Sequence, residues 1–516
     1  MATTEYSTQS NEIPKRIEKE TTETILLVRR IYEILLKSNF LFFIFSILSL
    51  LIRLIVGTVQ FLVLFIWSIS KVLRNGTETV RGFVQNVGNF LVDLLGSEKR
   101  GNLFVRMLRF VIGNTTKKTT KDGKTAFKVQ DLVLDKGYPL EEYTVKTKDG
   151  YFLKLFRIPY SRKEKEEKEL RLQQSKQSQS PGQETEQGKQ RPVVFFLHGL
   201  MSSSSFFLIG DTIAYKLSDL GYDCWFGNTR GNEYSNTHET LSIEQPEFWD
   251  HTFNEYIDHD FPTMINFVLK KTKQDTFSYY GFSQGTSQGF AGFSVYPELS
   301  QKCKLFVAFA PTANLKFLYS FFMKIVSALP SRYTQKVLGK GAIFQKMVPR
   351  VKQITGVNFF SHLIEGSMTF LFGWHNRMLN KQWMPQYAQT LYSPMATKNI
   401  LYWFQQLRNQ SFDRFDYEDE KINLKKYGQV KPPQYNLKKI TCPMALYSGA
   451  ADSLSNLDFV TKNVLNPKLL VDDLRLPDYE HLDSVWGINL DKLIFPRVLK
   501  LMEKYHPLPS LKIINN

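Results

Sequence analysis

The run Gly281-Phe282-Ser283-Gln284-Gly285 sets a serine between two glycines, after the apolar stretch Phe277 to Phe282 and before a helix-compatible stretch. Gly-x-Ser-x-Gly suits a nucleophile carried on a sharp strand-to-helix turn. Glycines leave room where side chains would collide, and the serine hydroxyl is lifted above the edge of a sheet. The match is weak by itself, because at ~7% usage of each residue a chain of 516 residues yields one by chance about one time in six. Its flanking strand and helix give it weight.

A serine that attacks a carbonyl needs a base, an acid that orients the base, and donors for the oxyanion. Leu197-His198-Gly199-Leu200-Met201 follows the apolar run 192–197, in the turn after the third strand, where an oxyanion loop belongs. The backbone N–H groups of Leu200 and Gln284 are the expected donors, each worth about 2.7–4 kcal/mol to the transition state. His198 is read as a brace for that turn rather than a proton carrier. Asp452, just beyond the late apolar run Met444 to Tyr447, is the expected acid, and His481, in Asp478-Tyr479-Glu480-His481-Leu482-Asp483, the expected base. Of eight histidines, His481 alone lies downstream of Asp452 in a loop able to fold back over a sheet; His506 sits in the terminal tail. Asp458 and Asp472 stay open as acids, the first expected in a helix and the second ahead of the last strand. Such a site needs neither metal nor cofactor. The three cysteines, Cys224, Cys303 and Cys442, are too scattered for a disulfide scaffold or a cysteine-rich zinc module.

These groups must be held by something rigid. Short apolar runs at 192–197, Tyr222 to Phe226, Phe277 to Phe282, Leu305 to Phe309 and Met444 to Tyr447 alternate with helical stretches, which predicts a mostly parallel, doubly wound α/β sheet with helices on both faces. Ahead of them, Glu142 to Thr147 and Phe152 to Ile158 flank the turn signal Lys148-Asp149-Gly150-Tyr151 and predict a β-hairpin. The core is expected over 128–310 and again over 441–510. Residues 161–190 contain no aromatic side chain and little that could enter a core, so they are expected to form a disordered insertion. The segment 311–440 is too long for a crossover and reads as an inserted helical cap, with aromatic faces in FLYSFFMKIV, FFSHLIEGSMTFLFGWHN and ILYWFQQL.

Taken together, LHGLMSSS, GYDCWFGNTRGNEYSNTH, FWDHTFNEYIDHDFP, GFSQGTSQGF, APTA and DYEHLDSVWG resemble the acid lipase family of α/β-hydrolases. The resemblance covers about 128–505. It is closest to the fungal membrane-anchored steryl ester hydrolases, which have stretches similar to LYWFQQLRNQSF and EHLDSVWG. It implies a Ser-Asp-His triad at Ser283, Asp452 and His481, with oxyanion donors at Leu200 and Gln284. Phe282 departs from the animal members, which commonly have His before the serine.

The N-terminal quarter has another character. After a polar tail, 1–38, the stretch 39–70 holds thirty residues from Phe40 to Ile69 broken by one charge, Arg53. At ~1.5 Å per residue this is roughly 45 Å of helix against ~30 Å of hydrocarbon, so a tilted single span or a hairpin would fit. Arg29, Arg30 and Lys37 precede it and Lys71, Arg74 and Arg81 follow, which leaves orientation open. The region 71–127 reads as a basic amphipathic juxtamembrane stretch, suited to anionic lipid headgroups.

The chain carries 66 Lys+Arg against 49 Asp+Glu, a net +17, yet no recognised nucleic-acid module accompanies the excess. With 43% hydrophobic and 22% charged residues, a wholly disordered or polytopic membrane chain is excluded. The expectation is a membrane-anchored hydrolase of neutral lipid esters, steryl esters first. Triacylglycerol is the alternative substrate, and a catalytically inactive lipid-binding scaffold on the same fold the alternative of another class. A lipid droplet, the endoplasmic reticulum or the plasma membrane would each provide the surface. The sequons at Asn75, Asn114 and Asn409 are reporters of which side the domain faces.

Overall fold

The computed structural model describes residues 128–178, 190–315, 321–463 and 467–509. The expected tail, the apolar run 40–69 and the basic stretch 71–127 lie outside the described residues. Among the described residues no helix is long and apolar enough to cross a membrane. Two compact units are distinguished. The described residues of the first lie within 128–346 and 361–509; those of the second are Met347–Phe360, in the helix Met347–Phe372.

The hairpin forms as its turn signal predicts. Strands β1 (Glu141–Lys146) and β2 (Tyr151–Ile158) pair antiparallel, and Gly150, at φ 93°, donates its N–H to Thr147 O at 3.1 Å. β1 has no fully buried residue, as befits an edge, whereas β2 buries Tyr151, Leu153, Leu155, Phe156 and Ile158.

Beyond the hairpin the sheet continues through β3 (Val193–Leu197), β4 (Asp223–Gly227), β6 (Phe277–Phe282) and β7 (Cys303–Phe309), with the two-residue β5 (Thr237–His238) paired to β2. After a two-stranded pair, β8 (Ala342–Ile343) with β9 (Met395–Ala396), the large sheet is completed by β10 (Met444–Gly449) and β11 (Leu470–Leu476). Its order is β1-β2-β4-β3-β6-β7-β10-β11, with every neighbouring pair from β4 to β11 parallel. β3, β4, β6 and β10 are buried at every position, which is why they read as unbroken apolar runs. Aromatic rings fill the core, Trp225 and Tyr279 from these strands, Phe306 from β7, and Phe261 and Phe293 from the helices Phe261–Thr272 and Gln284–Val295, and each such side chain contributes roughly 1.5–3 kcal/mol by leaving water.

The chain leaves β3 toward β4 on one side and later returns to place β6 on the other. The crevice at the carboxyl ends of β3 and β6 is therefore the switch point where open α/β sheets hold their ligands. One buried cation fixes the neighbourhood. Arg230 donates Nε to Asp260 Oδ1 at 2.8 Å and Nη2 to Asp149 Oδ1 at 3.0 Å, joining the loop after β4, a helix start and the β1–β2 turn. Burying a guanidinium is tolerable only with such pairing.

Two expectations change. Residues 162–178 of the insertion expected to be disordered form a helix (Arg162–Ser178), and 179–189 lie outside the described residues. The absence of core-forming side chains removed one reason for order but not the others. Glu, Lys, Leu, Arg and Gln favour helix intrinsically. Ser161 and Glu164 cap the start reciprocally, at 3.2 and 3.3 Å, and Arg191 and Arg162 tie the helix to the domain through Glu164 and Asp219. Asp472, expected ahead of the last strand, lies within it and accepts from Arg497 Nε and Tyr447 OH, each at 2.8 Å. Asp458 is in the helix Leu457–Asn463, as expected, and pairs with Arg475.

Candidate active site

Ser283 sits between β6 and the helix Gln284–Val295 at φ 52°, ψ −117°, a left-handed-side conformation that a side chain other than glycine's adopts only when its surroundings enforce it. The enforcement is visible on both flanks. A Cβ at Gly281 would meet Thr286 N at 2.7 Å and Gly285 C and O at 2.8 Å; one at Gly285 would meet Leu197 O at 2.1 Å. The glycines thus let the elbow fold on itself and rest against the end of β3. Ser283 N donates to Phe309 O at 3.0 Å, which pins the turn to β7.

The structure brings the three separated residues together. Ser283 Oγ lies 2.8 Å from His481 Nε2, and His481 Nδ1 lies 2.7 Å from Asp452 Oδ2. A carboxylate only accepts, so Nδ1 carries the proton and Nε2 is left to accept from the serine hydroxyl. Asp452 is buried, which by itself would raise its carboxyl. The His481 ring and the donors of Ser455 and Leu454 outweigh that and hold it below the ordinary carboxylate value. The N–H of Leu454 (2.8 Å) and of Ser455 (3.2 Å) both reach Asp452 Oδ1, so the carboxylate is fixed from behind while Oδ2 faces the imidazole. Asp458 and Asp472 have their own cationic partners, and neither is bonded to His481.

His198 is the brace that its position suggested. It is buried, and burial lowers it to about 4, so the ring is neutral. Nδ1 donates to Gly199 O at 2.8 Å, and Nε2 accepts from Thr229 N at 3.3 Å and from Asn232 Nδ2 at 3.2 Å. The loop that carries Leu200 is thereby locked to the loop after β4. Gln284 opens the helix behind Ser283. Its side-chain oxygen accepts from Trp403 Nε1 at 2.8 Å and Asn399 Nδ2 at 3.1 Å, so the side chain is engaged outside the cavity wall.

Ser283, His481 and Leu200 open into one cavity, about 560 Å³ of unfilled space that is partly open to solvent. Met368, Phe372, Trp374, Leu391 and Tyr392 of the insertion between β7 and β10 form part of its wall, and Phe206, Phe282 and Leu454 of the core form another. The wall is overwhelmingly hydrocarbon, with the serine and imidazole as its reactive groups.

Sequence reasoning did not find Ser455, Glu480 or Trp374. Ser455 had a signal, since Asp-x-x-Ser commonly closes on its own backbone as here. Glu480 and Trp374 act across more than a hundred residues of chain, and no local pattern marks them.

The family description "alpha/beta hydrolase fold" fits residues 192–488, and "Partial alpha/beta-hydrolase lipase region" fits residues 129–211. The chain is similar to the lysosomal acid lipase/cholesteryl ester hydrolase of Homo sapiens, 35% identical over 407 residues that make up 76% of this chain and 95% of that one. It is 33% identical to lipase member M of Homo sapiens over 389 residues, 74% of this chain and 87% of that one. With the gastric triacylglycerol lipase of Bos taurus it shares 31% over 396 residues, 75% and 93% of the two chains.

Proposed function

The chain belongs to the acid lipase family of α/β-hydrolases and is a carboxylic ester hydrolase; from that premise we propose that it cleaves neutral lipid esters, steryl esters first, at a Ser283-His481-Asp452 relay. The observation that carries the reading is the continuous pair of hydrogen bonds, 2.8 and 2.7 Å, ending in a serine that opens into an apolar cavity. A ligand that is nearly all hydrocarbon around one ester carbonyl matches that wall. Within the family we place the chain nearest the membrane-anchored steryl ester hydrolases of fungi, on the stretches LYWFQQLRNQSF and EHLDSVWG.

In the proposed mechanism Ser283 Oγ attacks the ester carbonyl while His481 Nε2 takes its proton, and Asp452 stabilises the imidazolium through Nδ1. The N–H groups of Leu200 and Gln284 receive the oxyanion. As the tetrahedral intermediate collapses, the imidazolium protonates the departing sterol oxygen. Water, deprotonated by the same nitrogen, then attacks the acyl-serine and releases the fatty acid. The cap, 311–440, would line the acyl and sterol pocket and keep bulk water from the intermediate.

We further propose that the chain works at a membrane or lipid-droplet surface, held by the run Phe40 to Ile69 and the basic stretch after it. Asn409, exposed at the end of the helix Thr397–Asn409, reports which face the domain occupies. A glycan there, detected as a glycosidase-sensitive mass, would place the domain on the lumenal side or outside the cell and exclude a hairpin with both ends in the cytosol.

Turnover of cholesteryl oleate and triolein by the purified full chain, with Ser283→Ala as control, tests reaction and substrate together. The expected result is faster release from the steryl ester and none from the control. Undiminished release by Ser283→Ala would sink the relay. A tenfold preference for triolein would replace steryl ester by triacylglycerol, the substrate named for the bovine gastric relative.

A further inference from the structure

We propose that the turn Phe372 to Asn376 is a clamp on the general base, with Glu480 and Trp374 as positioning residues for the His481 imidazole. The inference rests on the Ser283-His481-Asp452 reading and adds what holds the middle member in place.

The bond from His481 Nδ1 to Asp452 fixes an axis but not the rotation of the ring about it. Turning about that axis would carry Nε2 off Ser283 Oγ at little cost to the Asp452 bond. Something must hold the face of the ring. The indole of Trp374 lies against it nearly parallel, at 12° and 5.0 Å between centroids, and itself stacks with Phe372 at 20° and 4.4 Å.

The turn that bears Trp374 is fastened to both relay loops, each time at the residue next to a relay member. Ser453, after Asp452, donates Oγ to Phe372 O at 3.2 Å and accepts from Trp374 Nε1 at 3.2 Å. Glu480, before His481, accepts from the backbone N–H of His375 at 2.9 Å and of Asn376 at 2.6 Å. Its carboxylate is buried, is absent from the cavity wall, and has His375 Nδ1 3.5 Å away. Asn376 is at φ 54°, so the bend needs outside support. A buried carboxylate is costly unless fully bonded. This one is engaged by two N–H groups of the insertion, which makes the indole, the turn and the base loop move as one body.

Glu480→Gln is the sharpest probe, since it keeps shape and volume, leaves the cavity wall untouched, and cannot accept from both N–H groups. Its kcat should be read on a short soluble ester and expressed per Ser283 titrated to completion with a fluorophosphonate. A fall of tenfold or more with KM within twofold is expected. Trp374→Phe, which retains a ring for the stack, should keep at least a third of kcat per site, whereas Trp374→Ala should lose tenfold or more. A purely structural role for the turn would lower the number of titratable sites and leave kcat per site unchanged, and that outcome would overturn the proposal. So would Trp374→Phe and Trp374→Ala falling alike, a pair that decides the matter even where Glu480→Gln does not fold. Ser283→Ala separates the two levels: an inactive control with normal clamp variants rejects the clamp alone, and an active control rejects the relay beneath it.

Discussion

Asp452 is the residue whose role can be isolated most cleanly. Its Oδ1 is held by two backbone N–H groups and its Oδ2 by His481 and Ser455, so an amide in its place would keep the shape. It would lose the ability to demand the proton on Nδ1. The imidazole would then adopt the other tautomer and offer Ser283 a donor in place of an acceptor. Asp452→Asn should therefore lower kcat by about 10³–10⁴ with little change in KM, as the tautomer argument gives for such relays. Steady-state kinetics beside an unchanged far-UV spectrum would check it, and a loss below tenfold would reassign the acid. At this scale much was legible. Ser283 was marked by its glycines, and Asp452 and His481 by their order and by the strands that deliver them. Partners that bind through chain-distant backbone were not, because the N–H groups of His375 and Asn376 carry no side-chain signature for a carboxylate.

At the scale of elements, the turn that raises Ser283 and the helix that helps roof its cavity respond oppositely to the same change. A methyl group at Gly285 would lie 2.1 Å from Leu197 O and 2.8 Å from His198 O. Leu197 cannot retreat, because β3 is bonded on both sides, to β4 and β6. Gly285→Ala should cost about 1–3 kcal/mol or more and displace the elbow from His481. Gly366, within the helix Met347–Phe372, has no atom near its Cβ position, so Gly366→Ala should stabilise by up to about 1 kcal/mol. Urea midpoints of the two variants should move in opposite directions, and a shift of the same sign in both would refute the contrast. The strands were legible because burial on both faces demands unbroken apolar runs. The helix Arg162–Ser178 was not, since it forms without core side chains, through helix propensity and capping. Arg230 and Asp260 belong to stretches that carried the family resemblance, yet their bond spans thirty residues and became visible only in three dimensions.

For the whole molecule, the balance of buried ionisable groups fixes how stability changes with acidity. Burial lowers His198 and His506 to about 4, and lowers His251, which also faces Arg230, well below its ordinary value. In the unfolded chain all three take protons near pH 6.5, which the folded chain refuses. Their contribution is complete above pH 6.5 and is lost as pH falls toward 4, on the order of 3 kcal/mol for each of the two groups placed near 4. Asp483 runs the other way. Burial first, and then the neighbouring Glu480 and Asp452 charges, raise it to about 6, against the donor from Glu480 N and the more distant Lys381. Its contribution is complete below its unfolded value near 3.8 and is lost as pH rises through 6. Asp223, Asp260 and Asp413, raised by burial, act in the same sense as Asp483. The three histidines, two of them lowered to about 4, outweigh these carboxyls over the shared window, so the melting temperature should fall from pH 6.5 to 4.5. Asp483→Asn keeps an oxygen for the Glu480 N–H, which Asp483 Oδ2 now accepts at 2.7 Å, and removes the opposing group. It should therefore melt higher than the parent above pH 6 and lose stability more steeply on acidification. His506→Gln should flatten the same fall. A parent whose melting temperature held level or rose between pH 6.5 and 4.5 would show that other groups, not these buried histidines, control its acid stability.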